Sequence, residues 1–319
     1  MRHHLTAIAA AAAALAGTAA WAEYPTDGPI TFVIPYSPGG GFDTTVRQFA
    51  PAMEEAMGTT VVPENISGAG GARGGQTVYR AEPDGYTIGI YNVPGLTVDQ
   101  VTGRDAGYPL DEVTWIANLA EETYALAVPA DSEIETVADL CAMDQPPKLS
   151  DTGATSTASV TTRIAFDILG CEIVDVTGYA GSNDSMIAVI SGETDATLKP
   201  ITSLAKYTAD GGSGDMKIIL TLTEDTVLDG VQNATEAGHP ELAQFTLNRV
   251  VGGPPDMPAE IVQALEDGLR AASESEAVTS WAEGANVDLL FMGSEETTQM
   301  MSELQTFYEQ YKDAAAAPE

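Results

Sequence analysis

Residues 30–57 open with an apolar run, Ile30-Thr31-Phe32-Val33-Ile34, which breaks at Pro35. The chain then passes through Tyr36-Ser37-Pro38-Gly39-Gly40-Gly41-Phe42-Asp43 and continues with Val46, Phe49, Ala50, Met53 and Met57 at spacings of three and four. The run is the pattern of a short buried strand, and the later spacing places its apolar side chains on one face of a helix. Strand, glycine turn and helix leave few architectures open. Repeated units of this kind build parallel strands with helices on both faces, and the turns after the strands collect at one edge, where ligands bind. Glycines let a ligand approach the backbone, and the first N–H groups of a helix form a partly positive anion site without any lysine or arginine. A tight connection with Asp43 as N-cap accounts for the same residues, so the turn alone does not decide. There is no Gly-Lys-Ser/Thr ending and no Gly-x-Gly-x-x-Gly spacing, which sets aside nucleoside triphosphate and dinucleotide loops.

The unit recurs. Residues 59–63 read as a second strand, followed by Gly68-Ala69-Gly70-Gly71, a helix over 72–81 and the turn Pro83-Asp84-Gly85. Residues 86–91 are the third strand, and Asn92-Val93-Pro94-Gly95 turns into a short helix. Two apolar runs, 115–119 and 124–128, read as separate strands crossing into a second lobe. There the hydroxyl-dense turn 151–159 opens a helix with Val160, Ile164, Ile168 and Leu169 on one face. Its hydroxyls either cap the helix or donate hydrogen bonds to a bound carboxylate. Strands are expected at 173–176, 195–198 (ending at Lys199-Pro200) and 218–222. From 249 to 257 the chain is expected to turn through Gly252-Gly253-Pro254-Pro255 and to be helical from there to its end.

Met1 to Ala22 carry a basic start, an alanine-rich apolar run and a small-x-small site at Ala20-Trp21-Ala22, the pattern of a cleaved secretory signal. The remaining chain, roughly 300 residues, exceeds what one core usually organises, so two lobes are expected. Lobe one takes 23–120 plus 248–319 and lobe two 121–247, with crossings near Ala120 and near Leu247. The formal net charge of −34 argues against nucleic acid and anionic membrane surfaces as partners, and an anionic ligand must be held locally against that field. In an oxidising compartment Cys141 and Cys171 either form a disulfide or stay as two buried thiols. With His239 the sole histidine after signal removal, and no Cys-x-x-Cys spacing, neither a metal site nor a cofactor is expected.

Tyr24-Pro25, the stretch from Pro29-Ile30 through Pro35-Tyr36-Ser37-Pro38-Gly39-Gly40 with Asp43 and Arg47, Glu64-Asn65, Gly68-Ala69-Gly70-Gly71 and Pro83-Asp84-Gly85-Tyr86-Thr87 resemble the periplasmic receptors of tripartite tricarboxylate transporters, the Bug or TctC family. In the second lobe the matches thin to Gly153, Tyr179, Gly181, Gly192 and Asp195. The resemblance implies an α/β, two-lobed periplasmic binding protein of the Venus-flytrap type, each lobe a mainly parallel sheet flanked by helices. It implies a monomer that captures a small carboxylate, a di- or tricarboxylate or an aromatic acid, and delivers it to membrane permease subunits. Partnership with a sensor kinase would use the same pocket. Carried over, the ligand set is Tyr36, Ser37, Gly40, Gly41, Phe42 and Asp43 in the first turn, with Asp43 more an organiser than a contact, and Ala154, Thr155, Ser156 and Thr157 in the second. Ser159 stands where the family usually has histidine, and Tyr179-Ala180-Gly181 where Tyr-Lys-Gly is common. Arg73 either reaches the expected cleft or, as is favoured, points to solvent, and Lys199 stands at a strand end facing that cleft. No Gly-x-Ser-x-Gly elbow is present, and the surroundings of His239 hold no nucleophile motif, so an enzyme is not expected.

Overall fold

The structure is a computed structural model that describes residues 24–25, 28–101, 103, 106–154, 156–179, 181–208, 212–285 and 287–315. The secretory pattern at 1–22 lies outside the described residues. The chain alternates at first. Strand β1 (Ile30–Ile34) leads to α1 (Gly41–Met57), β2 (Val61–Asn65) to α2 (Ala72–Tyr79) and β3 (Thr87–Val93) to α3 (Gly95–Val101). Strand β1 pairs in parallel with β2 on one side and β3 on the other. It is apolar nearly throughout because both its faces are covered. Phe32 packs with Phe49 and Met53 of α1 on one face, while Val33 joins Val78 of α2 on the other. Full burial of a side chain such as Phe49 stabilises by roughly 1.5–3 kcal/mol.

Strand β4 (Thr114–Pro129) then runs sixteen residues without interruption. The two strands expected at 115–119 and 124–128 are therefore one. Glu121-Glu122-Thr123 carries the polarity of a turn, but Glu122 is buried in an ion pair with Arg249, so the backbone keeps its ladder through the polar triplet.

The second lobe follows as α4 (Val137–Cys141), β5 (Lys148–Asp151), α5 (Thr157–Ile168), β6 (Val174–Thr177), α6 (Ser182–Ile190), β7 (Thr197–Pro200), α7 (Ile201–Leu204), β8 (Met216–Thr221) and β9 (Gln232–Asn233). Strands β5 and β6 pair in parallel, and the second half of β4 pairs with β7 and β8. A disulfide joins Cys141 to Cys171, with the Cα atoms 5.5 Å apart.

The return is made by β10 (Thr246–Gly253), antiparallel between β3 and β4. Sequence reading expects a turn from 249, and the structure corrects this. Gly252 and Gly253 pair with β4, and only glycine fits there because a Cβ at Gly252 would meet Val113 and Trp115 at 2.9–3.1 Å and one at Gly253 would collide with the Met257 sulfur. The chain ends in α8 (Ala259–Ser273), α9 (Glu276–Ala285), β11 (Asp288–Met292), α10 (Ser294–Gln310) and α11 (Lys312–Ala315). Strand β11, in a segment expected to be helical throughout, pairs with β4. Helix α8 packs on α1, whereas α11 packs on α5, where Arg163 Nη2 donates to the Ala315 carbonyl at 2.8 Å. The sheet is thus parallel where strand-turn-helix units build it and antiparallel where the chain crosses between lobes.

Candidate functional site

A cleft of about 490 Å³ lies where the crossing strands meet the ends of β3 and β7. Three helices begin at its wall: α1 with Gly41 and Phe42, α5 with Thr157 and Ala158, and α6 with Ser182. The first N–H groups of a helix have no intrahelical partner, and their dipoles favour negative charge. The caps of α1 and α6 are Gly40 and Gly181, neither of which offers a side-chain acceptor. By contrast α4, outside this wall, is closed by a Thr136 and Asp139 capping box. The starts of α1 and α6 therefore carry no side-chain cap where they meet the cleft.

A polar scaffold fixes the first turn. The Asp43 carboxylate accepts from the Gly39 N–H at 2.8 Å, from Asn65 Nδ2 at 2.9 Å and from Arg47 Nε at 2.9 Å. Burial alone would raise its pKa, but these donors outweigh it and hold the carboxyl below the usual range. Asn65 Nδ2 also donates to the Tyr36 carbonyl, and Arg47 Nη2 donates to Asn65 Oδ1 at 2.8 Å. Tyr36 packs in a tilted arrangement against Phe42 with ring centroids 4.8 Å apart, and its hydroxyl is buried. Burial pushes that hydroxyl's pKa well up, so it stays neutral. Asp43 and Tyr36 shape the turn from behind.

The hydroxyls of the second turn divide by task. Ser156 caps α5, accepting from the Ser159 N–H at 3.2 Å, while Ser159 is buried, donating to Asp175 and accepting from Arg163 Nη1 at 2.6 Å. Thr157 alone of this pattern faces the cleft among the described residues; Thr155 lies outside them. The Tyr179 hydroxyl donates to Glu193 Oε1 at 2.9 Å and takes no part in the wall. Of the residues expected from sequence, Gly41, Phe42 and Thr157 line the cleft. Tyr36, Ser37, Gly40, Asp43, Ala154, Ser156, Ser159 and Tyr179 do not. Arg73 is exposed and lies along Gly68.

Between the turns the crossing strands supply charge that sequence reading missed. Arg249 of β10 and Glu122 of β4 form a buried ion pair in the cleft wall, and Thr202 donates its hydroxyl to the other oxygen of Glu122. The Arg249 guanidinium lies over the Phe42 ring, 5.5 Å from its centroid. Lys199 also lines the cleft, but its Nζ is 2.5 Å from Asp151 Oδ1 and 3.2 Å from the Ser150 carbonyl. Trp281 and Leu247 add an apolar side. The missed pair leaves a trace in the sequence: an arginine beside Val250-Val251 and an acid between two apolar runs are charges where burial is expected.

A family model described as the tripartite tricarboxylate transporter family receptor, TctC, matches residues 45–309. The chain belongs to this receptor family. TctC relatives are solute-binding receptors, not enzymes. One curated relative, a protein encoded in the ttuE-ttuC' intergenic region of Agrobacterium vitis, is 28% identical over 78% of this chain and 72% of its own length. Among solved structures, a TctC solute-binding protein from Polaromonas aligns with TM-score 0.78 at 22% identity, over 91% of this chain and 99% of its own. An R. palustris protein solved with adipate aligns with TM-score 0.74 at 23% identity, over 92% and 98%. The TctC receptor described here shares their two-lobed fold.

Proposed function

We propose that this receptor works outside the cytoplasm, captures a small organic acid in the cleft between its lobes and hands it to the permease of a tripartite tricarboxylate transporter. The observation that carries the reading is the convergence of three helix starts, two without side-chain caps, on one cleft that also holds a buried arginine. The adipate found in a relative of the same fold supports a carboxylate as the ligand's anchoring group. The secretory pattern at 1–22 supports the periplasm. For the lobes, the boundaries near 120 and 247 agree with the change of partners along β4, from β10 at Thr123 to β7 at Tyr124, and with the start of β10 at Thr246.

Ligand contacts in this reading come from the backbone of Gly41 and Phe42, from Thr157 and from the start of α6. Closure brings them together: a Cβ on Gly95 of the first lobe would already stand 2.8 Å from Thr157 Oγ1 of the second. The test is a thermal-shift screen of the secreted form against mono-, di- and tricarboxylates, aliphatic and aromatic. Ligand at about 100 times its Kd stabilises by roughly 2.7 kcal/mol, which is several degrees for a protein of this size. A shift confined to one chemical group supports the reading. No shift with any acid, in folded protein stripped of carried-over ligand, overturns it.

A further inference from the structure

Arg249 holds donors that no described residue uses. The residue is 5% exposed and lines the cleft, yet only Nη2 is engaged, by Glu122, while Nε and Nη1 are buried without a hydrogen-bond partner. A guanidinium cannot shed its proton, and a buried donor left dry is costly, so such groups call for an acceptor. Lys199, the other cationic side chain of the wall, has its acceptors in Asp151 and Ser150. Strand β10 changes register against β4 between Asn248 and Val250, a bulge of the kind that re-aims a side chain, and Arg249 sits in it.

Building on the receptor reading above, we propose that Arg249 fixes the ligand's carboxylate through one of its unpaired donors while Nη2 stays on Glu122, and that Glu122 is a positioning residue that aims the guanidinium from β4. A charge-assisted hydrogen bond from a guanidinium suits a carboxylate better than any neutral acceptor. The ligand is then an acid with a free carboxylate at one end and an apolar body against Phe42, Leu247 and Trp281. Because Arg249 belongs to a crossing strand and to neither helix-start turn, the acid docks on it while the lobes are still apart, and the turns close over the remainder.

The experiment is isothermal titration with adipate, and with whichever acid gives the largest shift in the screen, on wild type, Glu122→Gln, Arg249→Lys and the double variant Arg249→Met/Glu122→Gln. The double variant removes both buried charges together, so neither is stranded. Its affinity falls roughly 10- to 150-fold, the loss of a charged hydrogen-bond donor. Arg249→Lys keeps the charge but offers a single nitrogen where the guanidinium serves Glu122 and the ligand from separate ones, and falls by at least about tenfold. Glu122→Gln, which keeps the guanidinium but loosens its aim, falls by less than about tenfold. A pair that only holds the strands together would make Glu122→Gln and the double variant bind alike. That result, or unchanged affinity in Arg249→Lys, overturns the role of Arg249 while leaving the receptor reading intact. Wild type that binds none of the acids overturns the receptor reading itself, and this assignment with it.

Discussion

Replacing Lys199 by methionine strands a carboxylate in the second lobe. Lys199 and Asp151 are 1% and 0% exposed at their side chains, and the ammonium is 2.5 Å from Asp151 Oδ1. After the substitution Asp151 keeps the Thr162 hydroxyl at 2.7 Å and nothing of opposite charge. Breaking a buried pair in this way costs about 3–5 kcal/mol, a large part of the roughly 5–15 kcal/mol that holds a domain folded. At about 2–4 °C per kcal/mol the melting point falls by roughly 6–20 °C. The double variant Asp151→Asn/Lys199→Met leaves no buried charge, and its loss is expected to be less than half as large. Burial already raises the Asp151 pKa above the usual carboxylate range despite the ammonium and the hydroxyl. An acid whose folded pKa exceeds its unfolded one destabilises when ionised, and that cost is relieved as pH falls through the folded value. The gap between single and double variants should therefore be widest at neutral pH and narrow as the solution is acidified. Urea and thermal unfolding of the three proteins across this range measure it. A single variant that loses under about 1 kcal/mol, or a gap that does not change with pH, would refute the account of a stranded charge.

A Cβ on Gly41 would stand 3.3 Å from Arg249 Nη2, so Gly41→Val pushes its methyl groups against the guanidinium; ligand affinity should drop at least about tenfold by titration, with a melting point near that of wild type. The disulfide closes a sequence separation of 30 residues, and its loss in Cys141→Ser/Cys171→Ser should cost up to about 3–4 kcal/mol by the loop-entropy relation, read by urea unfolding. The net charge of −34 repels an anionic ligand at long range, so stopped-flow association should quicken as salt rises from low to physiological strength, the reverse of electrostatic steering.

The first unit was legible because its residues obey local rules. The spacing of Val46, Phe49 and Met53 marks the buried face of α1, and burial of Asp43 among three donors agrees with its reading as an organiser. Features decided by distant partners were not legible. Glu121-Glu122-Thr123 looks like a break until Arg249, far along the chain, neutralises Glu122. Gly252-Gly253 looks like a turn until Trp115 and Met257 occupy the space where side chains would be. In the second turn Ser159 and Thr157 have similar polarity, and only the fold shows that one is spent on Asp175 and Arg163 while the other faces the cleft. A helix after Gly181 is legible from Met186, Ile187 and Ile190, but nothing local says that its first residue, Ser182, lies at the same cleft.

The uninterrupted course of β4 decides how the two halves can move. A strand of sixteen residues spans about 50 Å and is hydrogen-bonded in both sheets, so the crossing contains no free loop to swivel on. Opening has to be taken up as torsion, small dihedral changes shared along the strand and its bulged neighbour, much as a twisted ribbon unwinds without tearing. Amides at the crossing should then exchange slowly with solvent in both the empty and the loaded protein, and loading should slow exchange most at the starts of α1, α5 and α6.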